Sequence, residues 1–192
     1  MKNKIIYRIT DAFKHIGVGW DKLAPDTDTA IQFAHTHINP EPQRMIDMNH
    51  YTMEYCLAHS GESVNERFRQ NRCDRVDLQI AEMVASHTTD TDLVLYRGVC
   101  DHVFKLMKEN ATDKTDCDLY EKGFLATSLV KGHELNYDTK LRIKVPAGTK
   151  CVYMGNVNYE QEYYEVDIMH SSKLKIISID DTYINCELLE TA

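Results

Sequence analysis

The chain has 192 residues, 43% of them hydrophobic and 27% charged, enough to build one domain around a core without disulfide or metal staples. Its net charge of −8 excludes a general basic coat for nucleic acid. No stretch reaches the ~18 consecutive apolar residues that a membrane-spanning helix needs.

Six cysteines (Cys56, Cys73, Cys100, Cys117, Cys151 and Cys186) include no C-x-x-C pair, which argues against a zinc ribbon. We read them as free, mostly buried thiols of a reducing compartment. The first residues, Met1 to Arg8, lack the apolar run of a signal peptide, so a cytoplasmic protein is expected, including one acting in a host or target cell. No metal is expected: His35 and His37 are two apart, which on a helix points them away from each other.

The composition changes once. Residues 1–90 read as mainly helical, and residues 91–192 as mainly β. Asp26 to Thr29 offers N-cap residues for a short helix over Ala30–Ala34. Pro42 opens a helix through Met45, Met48, Tyr51, Met53 and Leu57, which Ser60-Gly61 is expected to end. A second helix follows from Ser63, with Asn65 and Arg69 sharing a face. A third takes residues 74–87, with Val76, Leu78, Ile80, Met83 and Val84 as its apolar set.

Asp92 to Val99 is the first clear strand, and it ends on Arg97-Gly98. An arginine there needs an anion or a carboxylate, and Gly98 leaves room for a ligand to approach. A helix over 101–109 and a polar loop over 110–118 come next. The stretch Lys122 to Leu129 reads as a short strand carrying Thr127 and Ser128, and Thr139–Val145 alternates with Leu141, Ile143 and Val145 inward. Pro146-Ala147-Gly148 turns the chain, Cys151–Met154 continues the sheet, and strands follow over Val166–Met169, Lys173–Ile179 and Tyr183–Leu189. Helices followed by many short strands indicate an α+β fold with largely antiparallel pairing.

Between Cys151 and Val166 lies an acidic stretch, Tyr159-Glu160-Gln161-Glu162-Tyr163-Tyr164-Glu165. Acids are poor strand formers, and a local rule broken beside good strand sequence marks a candidate site.

Three pieces stand in a fixed order: Leu95-Tyr96-Arg97-Gly98, then Gly123-Phe124-Leu125-Ala126-Thr127-Ser128-Leu129, then the glutamates leading into Val166. The set resembles the R-S-E mono-ADP-ribosyltransferases, a class that includes C3-like toxins, binary toxins and phage transferases. Tyr51-Thr52 and Asn65 with Arg69 resemble the Y-T and N-x-x-L-R helices of that class. Val145-Pro146-Ala147-Gly148-Thr149 resembles its V-P-x-G-T turn, and Lys173-Leu174-Lys175-Ile176 its K-F-K-I strand.

The resemblance covers residues 45–180. It implies an ADP-ribosyltransferase-like fold, with N-terminal helices packed on a largely antiparallel, two-sheet β core, and a single domain over 1–192. It also implies an NAD-dependent enzyme, a toxin or effector, that transfers ADP-ribose to a macromolecule. A protein acceptor is expected, a nucleic acid stays open, and an antitoxin or immunity partner would fit such a role. The alternatives are an NAD glycohydrolase, or an inactive binding module that keeps the fold.

In this resemblance Arg97, Ser128 and Glu165 form the catalytic set, with Glu162 as accessory acid or base. Tyr51, Asn65, Arg69, Arg97, Gly98, Thr127, Ser128 and Tyr137 bind NAD. A guanidinium suits the pyrophosphate, a carboxylate stabilises oxocarbenium character on the ribose, and hydroxyls hold that carboxylate. The family's first serine is Ala126 here. Spacing to Lys173-Leu174-Lys175-Ile176 favours Glu165 as the catalytic glutamate, with Tyr163 in the position that selects the nucleophile. Glu162, with Glu160 two before it, remains the alternative.

Overall fold

The computed structural model describes residues 16–38, 53–155 and 162–192. A helix α1 (Ile16–Trp20) runs into a 3-10 turn (Asp21–Leu23), and then come α2 (Ala30–His37), α3 (Met53–Arg69) and α4 (Arg75–Ala85). The β half holds β1 (Leu93–Val99), α5 (Asp101–Ala111), β2 (Leu119–Glu121), β3 (Leu125–Ser128) and β4 (Thr139–Val145). It ends with β5 (Cys151–Gly155), β6 (Glu165–Ile168), β7 (Ser172–Ile179) and β8 (Ile184–Glu190).

Local chemistry explains most of these boundaries. Asp26 closes the turn that leads into α2, its Oδ1 accepting from the amide of the N-cap residue Thr29 at 3.0 Å. Asp74 and Asp77 form a reciprocal capping box that opens α4. Gly148, at φ +85°, supplies the left-handed residue of the turn after β4.

The sequence placed a break at Ser60-Gly61, yet α3 runs through it. Leu57, Val64 and Phe68 bury on one helix face against Ile80 and Val84 of α4, and against Phe124, Val152 and Met154 of the sheet. That packing outweighs the ~1 kcal/mol that an internal glycine costs. In α4 the expected apolar set is half right. Ile80 and Val84 are buried, whereas Val76 and Leu78 are exposed, because the inward face is instead completed by Asp77 and Ala81. Asp77 is fully buried and takes a bidentate hydrogen bond from Arg67, at 2.7 and 2.6 Å.

The sheet order is β2-β7-β8-β4-β1-β3-β6-β5. Only β4–β8 is parallel, so the pairing is largely antiparallel. Where two sheets were expected, hydrogen bonding runs through one series of eight strands with a narrow seam. β1 and β4 pair over seven residues, while β1 and β3 meet in register only at Tyr96 and Ser128. The short β3 leaves little edge for β1 to pair with.

The main core lies on one face, with Leu93, Leu95, Leu125, Leu141, Ile143, Val145, Val166 and Ile168 all buried. Of the cysteines, Cys151 and Cys186 are buried and the other four are half-buried, so the expectation of mostly buried thiols holds for those two alone. All six are free. Among the described residues no helix is long and apolar enough to cross a membrane.

Candidate active site

Arg97 sits next to the seam. Its guanidinium is buried, and Nη1 donates to the Ala126 carbonyl of β3 at 2.6 Å. Nη2 lies 3.9 Å from the Glu121 carboxylate, and Nε is buried with no hydrogen-bond partner. Burial pushes the Arg97 pKa below its ordinary value, and the charge of Glu121 opposes that push.

Glu121, at the end of β2, is an organising residue that the sequence reading passed over. It is 1% exposed. It accepts a fork of two bonds from Arg69, Nε at 3.0 Å and Nη2 at 2.9 Å, and a third from the Gly123 amide at 2.9 Å. Asn65 accepts from the Phe124 amide at 2.7 Å. Asn65 and Arg69, on α3, therefore hold the β2–β3 turn and the carboxylate that faces Arg97. The Asn65 amide oxygen and two Arg69 nitrogens are thus engaged by the chain itself. The signal for Glu121 was a single acid in the strand-like run Leu119-Tyr120-Glu121.

Glu165 begins β6. Its register partners are Ser128 of β3 and Gly155 of β5. Tyr164, just before it, adopts φ +48°, which costs an aromatic residue about 1–2 kcal/mol and turns the acidic segment into the strand. Burial pushes the Glu165 carboxyl up to about 7, while the charge of Arg97 pulls it back down. The structure thus brings Arg97, Ser128 and Glu165 together from three strands.

The hydroxyls do not act as expected. Thr127 Oγ1 donates to the Val166 carbonyl at 2.6 Å, and Ser128 Oγ to the Val130 carbonyl at 2.8 Å. Thr127 fixes the backbone just after Glu165, and Ser128 closes a local turn two residues on, so both hydroxyls bond backbone carbonyls instead of the carboxyl.

Glu162 lies elsewhere. It is exposed, precedes β6, and lines an open pocket of about 690 Å³ with His133, Leu135, Asn136, Tyr137 and Tyr163. The Tyr164 hydroxyl donates to its carboxylate at 3.3 Å. Tyr137 and Glu162 are therefore brought together in the lining of this pocket, which does not include Glu165. Gly98 departs from expectation. A Cβ built there would fall 1.7 Å from the Leu135 carbonyl oxygen, so the space taken for ligand is filled by the 132–137 loop. That loop is pinned by Glu134, a buried carboxylate accepting from the Gly132 amide, Lys140 and the Tyr183 hydroxyl at 2.8, 3.1 and 2.9 Å. Tyr51 lies outside the described residues.

Comparison with known proteins places this geometry. The family model for ADP-ribosyltransferase exoenzymes matches residues 39–188. Among solved structures, the chain is similar to Plx2a, an ADP-ribosyltransferase toxin from Paenibacillus larvae, at 15% identity and a TM-score of 0.56. That match covers 92% of this chain and 96% of the toxin. C3stau2 from S. aureus, solved with NAD, matches at 15% identity and a TM-score of 0.57, over 86% of this chain and 97% of its own. BECa, the ADP-ribosylating toxin of a C. perfringens binary enterotoxin, matches at 18% and 0.58, over 85% of this chain and 48% of its own. No curated protein matches by sequence. At these identities the structures speak for the fold, and the family model, spanning most of the chain, speaks for kinship. The chain belongs to the ADP-ribosyltransferase exoenzyme family.

Proposed function

We propose that the chain, acting as one domain over 1–192, is a mono-ADP-ribosyltransferase toxin or effector that uses NAD without a metal and modifies a protein acceptor. The observation that supports it most is Arg97. This buried guanidinium keeps one N–H unspent, and its charge acts on Glu165 across the seam. A cation with spare donors suits the anionic part of NAD.

In this reading Arg97 takes the phosphate side of NAD, with Arg69, Glu121 and Asn65 fixing it from behind. Glu165 binds a ribose hydroxyl and stabilises positive charge as the bond from C1 to the nicotinamide nitrogen breaks. The bonding pair leaves with nicotinamide and cancels its ring charge. The acceptor lone pair then closes on C1, and its proton passes to a base, a role that the exposed Glu162 fits. Thr127 and Ser128 position the backbone of Glu165, Gly98 places β1 against the 132–137 loop, and Tyr137 offers that loop's aromatic surface. Tyr51 belongs to this NAD-binding set by resemblance.

The test is NAD cleavage and label transfer by Glu165→Gln and Glu162→Gln variants in target lysate. Removing a preorganised charge from the reacting centre costs about 3–4 kcal/mol of barrier, so Glu165→Gln falls by a few hundredfold or more. Glu162→Gln loses transfer more than NAD cleavage. Full activity in the Glu165 variant removes the assignment. Labelled product that resists protease but not nuclease would make the acceptor nucleic acid, and free ADP-ribose as sole product would make water the acceptor.

A further inference from the structure

Asp167 stands two residues beyond Glu165 on β6, so the two side chains share a face of the strand. It is 2% exposed. Its register partners are Ala126 on β3 and Val152 on β5, both without a polar side chain. Arg97 bonds the carbonyl of that same Ala126, and this guanidinium is the cation whose charge acts on Asp167.

The charges at this site do not balance if every group ionises. Three carboxyls (Glu121, Glu165 and Asp167) face two guanidiniums, those of Arg69 and Arg97. Glu121 is already engaged by the Arg69 fork and the Gly123 amide. Arg97 is then left to two further acids on one strand face. Two carboxylates sharing one buried cation do not both ionise near neutrality, and the deeper of the two retains the proton. Asp167 is the deeper, flanked by Ala126 and Val152, whereas Glu165 is only half-buried. Burial is the main influence holding Asp167 protonated, the charge of Glu165 adds to it, and Arg97 opposes both.

We propose that Asp167 is a positioning residue that stands in the site as a neutral acid, leaving Arg97 and the single negative charge of Glu165 to each other and to NAD. The inference rests on the reading of Glu165 as the working carboxylate. Its consequence is a limit on the alkaline side. Once Asp167 releases its proton, a third negative charge faces Arg97 and repels the pyrophosphate, so KM for NAD rises while kcat changes less.

Two measurements test this. The first is a carbon-13 titration of the aspartate carboxyls in the natural chain, with Asp167 assigned by through-bond correlation. A protonated-acid shift at neutral pH that moves only at alkaline pH supports the proposal, and a carboxylate shift at neutral pH overturns it. The second is KM for NAD against pH in Asp167→Asn, which mimics the neutral acid and cannot ionise. The alkaline rise of about tenfold or more expected for one added buried like charge disappears in this variant. An undiminished rise overturns the proposal. The titration stands even if Asp167→Asn fails to fold. Activity in Glu165→Gln would sink the functional reading while leaving the carbon signal of Asp167 untouched.

Discussion

Arg97 donates its Nη1 to the carbonyl of Ala126, 2.6 Å away, across the seam between β1 and β3. The contact that links the two strands is made to backbone, so it does not depend on the side chain at position 126. The pairing puts the cation and the face bearing Glu165 in one frame.

The protonation of Glu165 gives opposite signs for activity and stability. Its carboxyl titrates at about 7 in the fold, raised chiefly by burial and lowered in part by Arg97. With Glu165 in its proposed role, NAD cleavage is expected to need the anion and to rise as pH climbs through about 7. Stability runs the other way. Between the ordinary carboxyl range and about 7 the folded chain holds a proton that the unfolded chain has released, so stability falls as pH rises through that window. Glu165→Gln is expected to be more stable at neutral pH by roughly 1–3 kcal/mol, with no difference in acid. Thermal melts at acidic and neutral pH check it, and equal melting temperatures at neutral pH would contradict it.

Replacing Glu121 strips the shared anion from Arg69 and Arg97. Arg69 then keeps only the distant Glu66, and Arg97 only the Ala126 carbonyl and the acids of β6, so Glu121→Gln is expected to cost about 3–5 kcal/mol. Glu66→Gln is the control. Glu66 meets Arg69 at 3.8 Å from an exposed position, and its loss is worth less than about 1 kcal/mol. Urea melts of the two variants should differ severalfold in their effect.

Gly98→Ala drives a methyl group into the Leu135 carbonyl. Backbone cannot swing aside as a side-chain tip does, so the 132–137 loop shifts and carries Tyr137 with it. Stability falls by about 1–3 kcal/mol, and kcat/KM falls about a hundredfold because reacting groups lose alignment. A kinetic loss no larger than that of Gly19→Ala, a helical site with open space around it, would show that the contact does not position the loop.

Arg142 tests the far side of the sheet. It is 2% exposed and bonds Asp180, Asn185 and Asp21 at 2.7, 2.9 and 3.2 Å. Asp21 also accepts from the Tyr96 hydroxyl at 2.8 Å, so the 3-10 turn is latched to β1 one residue before Arg97. Arg142→Ala removes the buried cation that joins Asp21 to Asp180, although each keeps other donors, and is expected to cost about 3–5 kcal/mol. Calorimetry showing a change below about 1 kcal/mol would remove the latch.

The β half was the more legible in sequence. Thr139–Val145 alternates by the rule of two, and the strand appears with those bounds, Leu141, Ile143 and Val145 buried. The same alternation puts Arg142 on the opposite face, yet it is buried there, because its aspartate partners arrive from residues 21 and 180. Glu121 and Asp167 were missed for a related reason. Each is a lone acid in an apolar strand, and its meaning depends on which arginine the fold brings beside it. Arg97, Ser128 and Glu165 were legible as an ordered set along the chain, and they meet because β1, β3 and β6 are neighbours in the sheet. The break at Gly61 failed because residue preference is weaker than a buried face.

The narrow join between β1 and β3 makes the charged site a gauge of the fold's integrity. Arg97 belongs to one block of strands and Glu165 to the other, with Tyr96 and Ser128 the one register pair between them. A fracture there would leave each block's own pairing whole while parting the cation from the anion. Heating or dilute denaturant should then silence the chain before its secondary structure melts, so that loss of activity reports on one joint and not on the whole.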